Sequence, residues 1–140
     1  MIPSWARVAL FGCAALATAW LEPAPARAID WAAADAERVV EIVTRDEDGA
    51  PRETKIWLVV VDGEGYIRTG GTRWWGNVER DPDVLLRVAG VEHPLRAELV
   101  TDEALLARVV ASFRTKYGFS DRMAGLVRFG DTHVMRLERR

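Results

Sequence analysis

The segment "ETKIWLVVVD" (residues 53–62) carries the strongest strand signal in the chain. Its residues from Ile56 to Val61 are all apolar, and consecutive side chains of a strand point to opposite faces, so the segment predicts a central strand buried on both sides. The turn sequence "DGEG" (62–65) follows, and the strand-like "YIRTG" (66–70) comes directly after it. The two strands are therefore predicted to form a β-hairpin.

The residues before this hairpin predict a short helix, a strand and a loop. Asp30 is placed to cap a helix through "WAAADAER" (31–38). The β-branched run "VVEIVTR" (39–45) favours a strand. Gly49 and Pro51 mark "DEDGAPR" (46–52) as a loop.

The residues after the hairpin begin with "RTGGTRWWGN" (68–77), which we interpret as a loop, and "NVERDPD" (77–83), a short helical turn or loop. "VLLRVAG" (84–90) and "VEHPLRAELV" (91–100) predict a second hairpin, with Pro94 at an edge or a bulge.

One long helix is predicted near the C-terminus. "TDEALLARVVASFRTKYG" (101–118) opens with capping residues, carries apolar residues at helical spacing and closes on Gly118. "LVRFGDTHVMRLER" (126–139) then predicts a hairpin or a long strand. Many antiparallel strands with one packed helix indicate an α+β small barrel rather than a doubly wound sheet.

Residues 1–28 have the layout of a secretory signal peptide. The 14-residue apolar stretch Val8–Leu21 is followed by two prolines and by Ala26-Arg27-Ala28, so cleavage is expected before Ile29. The alternatives are an uncleaved anchor, which the short stretch disfavours, and a lipoprotein site at Cys13. The predicted protein is therefore periplasmic or secreted, with residues 29–140 as its one domain.

The composition of residues 29–140 excludes several function classes. The leader contains Cys13, the only cysteine, so the remainder lacks disulfides, thiol nucleophiles and cysteine-bound metals. Removing the leader leaves 17 basic and 20 acidic residues, a net charge of −3. That charge gives no indication of nucleic-acid binding, which requires a basic surplus.

No catalytic or metal-binding constellation is evident in the sequence. His93 and His133 are the only histidines, and neither has further ligands at metal-site spacing. Ser112 and Ser120 lie outside any nucleophile motif. We therefore predict no catalytic side chain and no metal site.

The segment 68–77 is the one candidate for a binding site. Backbone amides and hydroxyls from Thr69 to Thr72 can form an anion-binding nest, Arg68 and Arg73 can add bidentate contacts, and Trp74 and Trp75 offer planar surfaces. The alternative is that the glycines permit a tight loop while an indole plugs one end of the core.

From residue 39 to residue 139 the order of these motifs resembles the split β-barrel flavin-binding superfamily, and most closely its branch of deazaflavin-dependent nitroreductases and quinone reductases. Arg52 and Thr54 match the family's R-x-T, which in relatives approaches the cofactor phosphate, and the small-residue loop with Trp75 and Asn77 matches its W-x-N. The resemblance implies a six-stranded antiparallel split β-barrel with one long helix packed on its side, often a homodimer. Together with the loop composition it predicts a cofactor-binding set of Arg52, Thr54, Lys55, Arg68, Thr69, Gly70, Gly71, Trp74, Trp75 and Asn77.

The implied function is a flavin- or deazaflavin-dependent reductase that transfers hydride to a quinone or nitro compound. Two features depart from the family pattern: the acidic loop Asp46-Glu47-Asp48, where relatives are basic and where carboxylates would repel a phosphate, and the export signal. They favour a second reading, a non-catalytic periplasmic binding or scaffold domain without cofactor. Haem is a third possibility, with His93 or His133 as its axial ligand.

Overall fold

The structure is a computed structural model and describes residues 28–118 and 132–140. The predicted signal peptide lies outside the described residues, except for Ala28, and so does the predicted strand segment 126–131. No helix within the described residues is long and apolar enough to cross a membrane.

Seven antiparallel strands form one sheet in the order β2-β1-β5-β6-β7-β4-β3. The helices are α1 (Trp31–Ala36), α2 (Arg73–Arg80) and α3 (Glu103–Tyr117). The strands are β1 (Val40–Arg45), β2 (Pro51–Ile56), β3 (Leu58–Val61), β4 (Glu64–Thr69), β5 (Asp83–Val88), β6 (Val91–Leu99) and β7 (His133–Arg139).

The predicted central strand 53–62 is in fact divided between the two edges of the sheet. β2 pairs with β1 at one edge and β3 pairs with β4 at the other, yet only Trp57 separates β2 from β3. The two edges therefore meet at Trp57, and the sheet curls back on itself as a half-barrel. The α+β half-barrel is confirmed, whereas the predicted count of six strands and the central position of this one were wrong. A run of apolar residues indicates that a segment is buried, but not where it lies in the sheet. Here the segment lies at the edges of the sheet, and helices cover it.

Residues at the C-terminal end of α3 bind the chain at the point where β2 ends and β3 begins. The N–H of Leu58 donates to the Tyr117 hydroxyl at 3.0 Å, and that hydroxyl lies 3.0 Å from the Leu58 carbonyl oxygen, to which it donates. Lys116 Nζ donates to the same carbonyl at 2.7 Å, and the Trp57 ring stacks on Tyr117 with centroids 4.4 Å apart. Burial raises the pKa of Tyr117, so its hydroxyl stays protonated and able to donate.

Two apolar cores flank the curled sheet. The inner core includes Ile42, Leu58, Leu86 and Met135, all fully buried. The outer core lies between α3 and the strands β3, β4 and β7, and its buried members are Val59, Tyr66, Val109, Phe113, Tyr117 and Val134. The three α3 residues in that list are spaced four apart, which places them on one face of the helix.

Local signals predicted the hairpins and the long helix correctly. The β3–β4 turn has Asp62 and Gly63 at φ 52° and 76°, and the β5–β6 turn has Ala89 and Gly90 at φ 47° and 81°. Two consecutive positive φ angles are what a two-residue hairpin of matching twist requires. Helix α3 begins after Asp102, which accepts from the N–H of Ala104 at 3.1 Å, and ends at Gly118 with φ 55°.

Helix α1 covers the sheet through Trp31. Asp30 caps this helix as predicted, accepting from the N–H of Ala33 at 3.2 Å. The six-membered ring of Trp31 lies directly on the backbone of Gly65 in β4, where any Cβ atom would overlap it. Gly65 is therefore required for close approach, not for a special backbone angle.

Tyr117→Phe should lower the free energy of unfolding by about 1–3 kcal/mol, because the buried N–H of Leu58 loses its partner. Urea unfolding of both proteins measures the difference. Thr115→Ala is the matched control, since that exposed hydroxyl bonds only to the carbonyl of Ala111 in its own helix; it should leave stability unchanged or slightly raised. A Tyr117→Phe protein as stable as the wild type would contradict the role of the hydroxyl.

Gly65→Ala should destabilise the fold by about 1–3 kcal/mol, because the new methyl group displaces Trp31 from the sheet. Gly71→Ala is the control, since nothing lies within 4 Å of a Cβ there, and it should change stability by less than about 0.5 kcal/mol. Thermal unfolding distinguishes the two, and tryptophan fluorescence reports whether an indole has moved. Equal stability of the two variants would contradict this packing.

Candidate functional site

The segment 68–77 is a strand end, a turn and a helix, not a loop. Thr69 is the last residue of β4, residues 70–72 make the turn, and Arg73 begins α2. Trp74, Asn77 and Val78 are the buried residues of α2, and their spacing of three and four places them on one helical face. Local signals for this helix are weak, because Gly76 disfavours it and Thr72 makes no side-chain cap.

Thr72 makes no cap because its hydroxyl is engaged elsewhere. Its Oγ1 lies 2.7 Å from Oγ1 of Thr69, which is only 1% exposed. This bond ties the start of α2 to the end of β4, and it leaves the first N–H groups of the helix without a side-chain acceptor from Thr72.

The two tryptophans of α2 have different surroundings. Trp74 is 5% exposed and belongs to the inner core, while its surface also lines a cavity. Trp75 is half-buried and stacks on His133, with ring centroids 4.1 Å apart and planes 10° from parallel. His133 is paired with Thr69 across β4 and β7, so this stack lies beside the strand end that reaches the cavity.

That cavity, which we name the β2–α2 cavity, has a volume of about 290 Å³ and lies between β2, the end of β4 and the start of α2. Six of the ten predicted binding residues line it together with Ile56, Thr72 and Arg73; the six are Arg52, Thr54, Lys55, Arg68, Thr69 and Trp74. Gly70, Gly71, Trp75 and Asn77 are not among its lining residues.

The lining of the β2–α2 cavity is strongly cationic. Its described residues provide four cations and three hydroxyls, and none of them is a carboxylate. Lys55 and Arg73 form no hydrogen bond or ion pair with any described residue. The Arg68 guanidinium lies over the Phe113 ring, 4.6 Å from its centroid. The cavity therefore offers positive charge to a ligand, together with hydroxyl donors and one apolar wall.

The acidic loop binds Arg52 through one of its carboxylates, Asp46. Asp46 accepts from Nε of Arg52 at 2.8 Å and from Nη2 at 3.0 Å. Asn77 Nδ2 donates to the same carboxylate at 2.8 Å and to the Thr44 hydroxyl at 3.1 Å. The hydrogen bonds from Arg52 and then from Asn77 lower the pKa of Asp46 from 3.8 to about 2.

Both polar atoms of the Asn77 side chain form hydrogen bonds within this network. Besides the two donor bonds, its Oδ1 accepts from Nη2 of Arg80 at 2.9 Å, and Arg80 also donates to the carbonyl of Arg45 at 2.8 Å. These contacts join α2 to the end of β1. The sequence pattern singled out Asn77 for a ligand; the structure places it where it fixes the helix that forms one wall of the cavity.

A second cavity of about 500 Å³ lies on the other side of Arg73, and we name it the α2–loop cavity. It shares Thr72 and Arg73 with the β2–α2 cavity, and its remaining lining residues are Asp46, Glu47, Asp48, Gly76, Asn77 and Arg80. Its charges are mixed, and Arg80 and Glu47 approach each other to 3.9 Å across it.

Sequence reasoning missed Thr44, Asp46 and Ile56 as parts of this region. No local signal identifies the partner of Asp46, because Arg52 is six residues away and Asn77 thirty-one. Among the described residues no three His, Cys, Asp or Glu side chains converge as a metal site. His93 lies on β6, a strand that contributes nothing to the lining of the β2–α2 cavity.

A family model described as an uncharacterised protein conserved in bacteria, DUF2255, matches residues 30–132. A search among curated proteins finds no significant match. Among solved structures, similarity of fold extends to HutZ, the haem storage protein of Vibrio cholerae, with 18% identity, a TM-score of 0.63, and coverage of 78% of this chain and 86% of that one.

Two further structures share the fold. A candidate pyridoxamine 5′-phosphate oxidase from Listeria innocua has 15% identity and a TM-score of 0.54, covering 76% of this chain and 86% of that one. A candidate 5-nitroimidazole antibiotic resistance protein from Bacteroides thetaiotaomicron has 10% identity and a TM-score of 0.55, covering 73% and 72%. At these identities the likeness establishes the split-barrel type of fold.

Asp46→Asn should destabilise the protein at neutral pH and progressively less in acid. The pKa of Asp46 falls from 3.8 to about 2 on folding, so its ion pair stabilises the fold above about pH 4 and that contribution disappears as the pH falls towards 2. Urea unfolding of both proteins between about pH 6 and about pH 2 measures the difference. Asp48→Asn is the control, since that carboxylate bonds only to the N–H of Ala50 in its own loop. A difference that stays constant with pH would contradict the assigned pKa.

Proposed function

This chain belongs to the bacterial protein family DUF2255, and we propose that it binds a planar cofactor with an anionic group in the β2–α2 cavity. The leading candidate is a flavin nucleotide, either FMN or a deazaflavin coenzyme. The proposed activity is that of a reductase acting on a small oxidised organic compound such as a quinone or a nitro compound.

The observation that carries the proposal is the composition of the cavity wall. Four cations and three hydroxyls line a cavity of about 290 Å³, and no carboxylate is among the lining residues that the structure describes. Asp46 already pairs with Arg52, but Lys55 and Arg73 make no ion pair with a described residue, so an anionic ligand would be attracted to them. This volume lies at the lower limit of small-molecule pockets, so the cavity suits one end of a cofactor rather than all of it.

The residues present fit a phosphate and an adjoining ring. Lys55 and Arg73 would hold the phosphate, the hydroxyls of Thr54 and Thr72 would donate to it, and Trp74 would give an apolar surface. When bound in its reduced form, a flavin supplies the hydride for the substrate. The chain would bind and orient the two partners, so the lack of a catalytic acid or base in the sequence agrees with this activity.

The relatives in fold support the proposal in general terms. One is named as a candidate pyridoxamine 5′-phosphate oxidase and another as a candidate 5-nitroimidazole antibiotic resistance protein. The identities are low, and the cofactor of this chain is inferred from its own cavity.

Haem is the second candidate, and a specific observation favours it. The half-buried His133 lies opposite Thr69, which lines the cavity, and its ring is held against Trp75. His133 would be the residue that binds the haem iron, and the cations of the cavity would hold the propionates. HutZ, which shares the fold, is named as a haem storage protein.

We further propose that the protein acts outside the cytoplasm after cleavage before Ile29, and that it forms a homodimer. The leader sequence supports export, and the resemblance to split-barrel proteins supports the dimer. A chain that crosses the membrane unfolded would acquire its cofactor after transport.

Absorbance spectroscopy tests the cofactor proposal. The protein purified from its native compartment should show flavin bands, or should acquire them on titration with FMN or a deazaflavin coenzyme. Bound haem would instead give a Soret band. His133→Ala separates the two, because it should abolish the haem spectrum and leave flavin affinity within about twofold. Uptake of none of these ligands would refute the proposal and favour the scaffold reading.

A further inference from the structure

We propose that Asp46 determines which cations of the β2–α2 cavity meet the ligand's anion. Arg52 is neutralised by Asp46 and fixes the cavity wall, whereas Lys55 and Arg73 bind the anion. This inference rests on the proposed function, since it assumes that the cavity takes an anionic ligand. It reverses the assignment implied by the sequence resemblance, in which Arg52 is the phosphate anchor.

The geometry of the ion pair supports the inference that Asp46 balances the charge of Arg52. Its Nε and Nη2 atoms both donate to Asp46, at 2.8 and 3.0 Å, which is the bidentate arrangement a phosphate would otherwise take. The carboxylate is also held from α2 by Asn77 at 2.8 Å. A ligand anion at Arg52 would have to displace a carboxylate that two separate elements hold in place.

The neutralisation persists at physiological pH. The pKa of Asp46 lies at about 2, so the carboxylate stays ionised near neutrality. The groups facing it are Arg52 on β2, Asn77 on α2 and, at longer range, Arg73 at the start of α2 and Asp48 in the same loop. Because the Asp46 carboxyl does not take up a proton near pH 7, a change of pH in that range does not release Arg52.

Lys55 and Arg73 are in the opposite situation. Both are exposed, both line the cavity, and neither pairs with a described residue. They approach the cavity from different elements, β2 and α2. Arg73 is the first residue of α2, whose N-terminal end adds a partial positive charge beside it. An anion placed between them would contact two cations that make no ion pair with a described residue.

This arrangement defines the ligand's orientation. The anionic end, a phosphate monoester or a carboxylate, faces Lys55 and Arg73. Nη1 of Arg52 makes no hydrogen bond to a described residue, and with its charge balanced it can donate to a neutral acceptor such as a ring carbonyl oxygen. The ring end of the ligand is therefore expected beside β2 at Arg52.

The test measures the affinity of the full protein for inorganic phosphate by calorimetry. Lys55→Gln and Arg73→Gln should each weaken binding by about tenfold, the effect of one lost charge-assisted hydrogen bond. Arg52→Gln should change it by less than twofold. Arg114→Gln, which removes an exposed cation on α3 that does not line the cavity, should also leave it unchanged.

Asp46→Asn is the decisive variant. It frees the Arg52 guanidinium, so phosphate affinity should rise about tenfold, and adding Arg52→Gln to it should return the affinity to the wild-type value. In the wild-type background the same arginine substitution has no such effect. Circular dichroism and thermal unfolding verify that each variant is folded, and Asp46→Asn still decides the question if Arg52→Gln does not fold.

Two results would overturn the inference: Arg52→Gln weakening phosphate binding as strongly as Arg73→Gln, or Asp46→Asn leaving the affinity unchanged. A wild-type protein that binds FMN or haem but no phosphate overturns it as well, and leaves the cofactor proposal standing. If the variants change phosphate affinity as expected but the protein takes up no flavin or haem, the cofactor proposal is refuted and the anion site is retained.

Discussion

The rest of the structure depends on one strand being shared between both edges of the sheet. The chain pairs with β1 up to Ile56 and with β4 from Leu58 onward, so it passes from one edge of the sheet to the other without a loop. This passage curls the sheet, but it interrupts the ladder of hydrogen bonds at the change of partner. The Tyr117 hydroxyl, which bonds to both the N–H and the carbonyl of Leu58, compensates for that interruption.

The passage of the chain from β2 into β3 also forms the candidate site. Because β2 continues past Trp57 into β3, the residues of β2 that face the cavity are brought near the end of β4, where α2 begins. The Thr69–Thr72 bond and the contacts of Asn77 then fix α2 against β4 and β1. Hydrogen bonds that hold a binding wall in place before a ligand arrives reduce the entropy cost of binding.

The acidic loop illustrates why the fold alone does not define a ligand. On sequence it looked like a loss of phosphate binding, since carboxylates stood where cations were expected. In three dimensions one of those carboxylates is paired with an arginine and an asparagine, and none of the described residues that line the cavity is acidic. Charge at a site is decided by which groups face it, and proteins that share a barrel can differ in this respect.

The sequence by itself determined the elements with local signals. The two-residue turns, the capped helix α3, the short helix behind Asp30 and the α+β class follow from patterns within a few residues, and six of ten predicted site residues do line one cavity. Tertiary structure alone decided the division of residues 53–62, the helical state of Trp74 and Trp75, and the pairing of Asp46 with Arg52. Each of these depends on partners from other strands and helices, and side-chain patterns along one segment carry no information about which distant group will satisfy it.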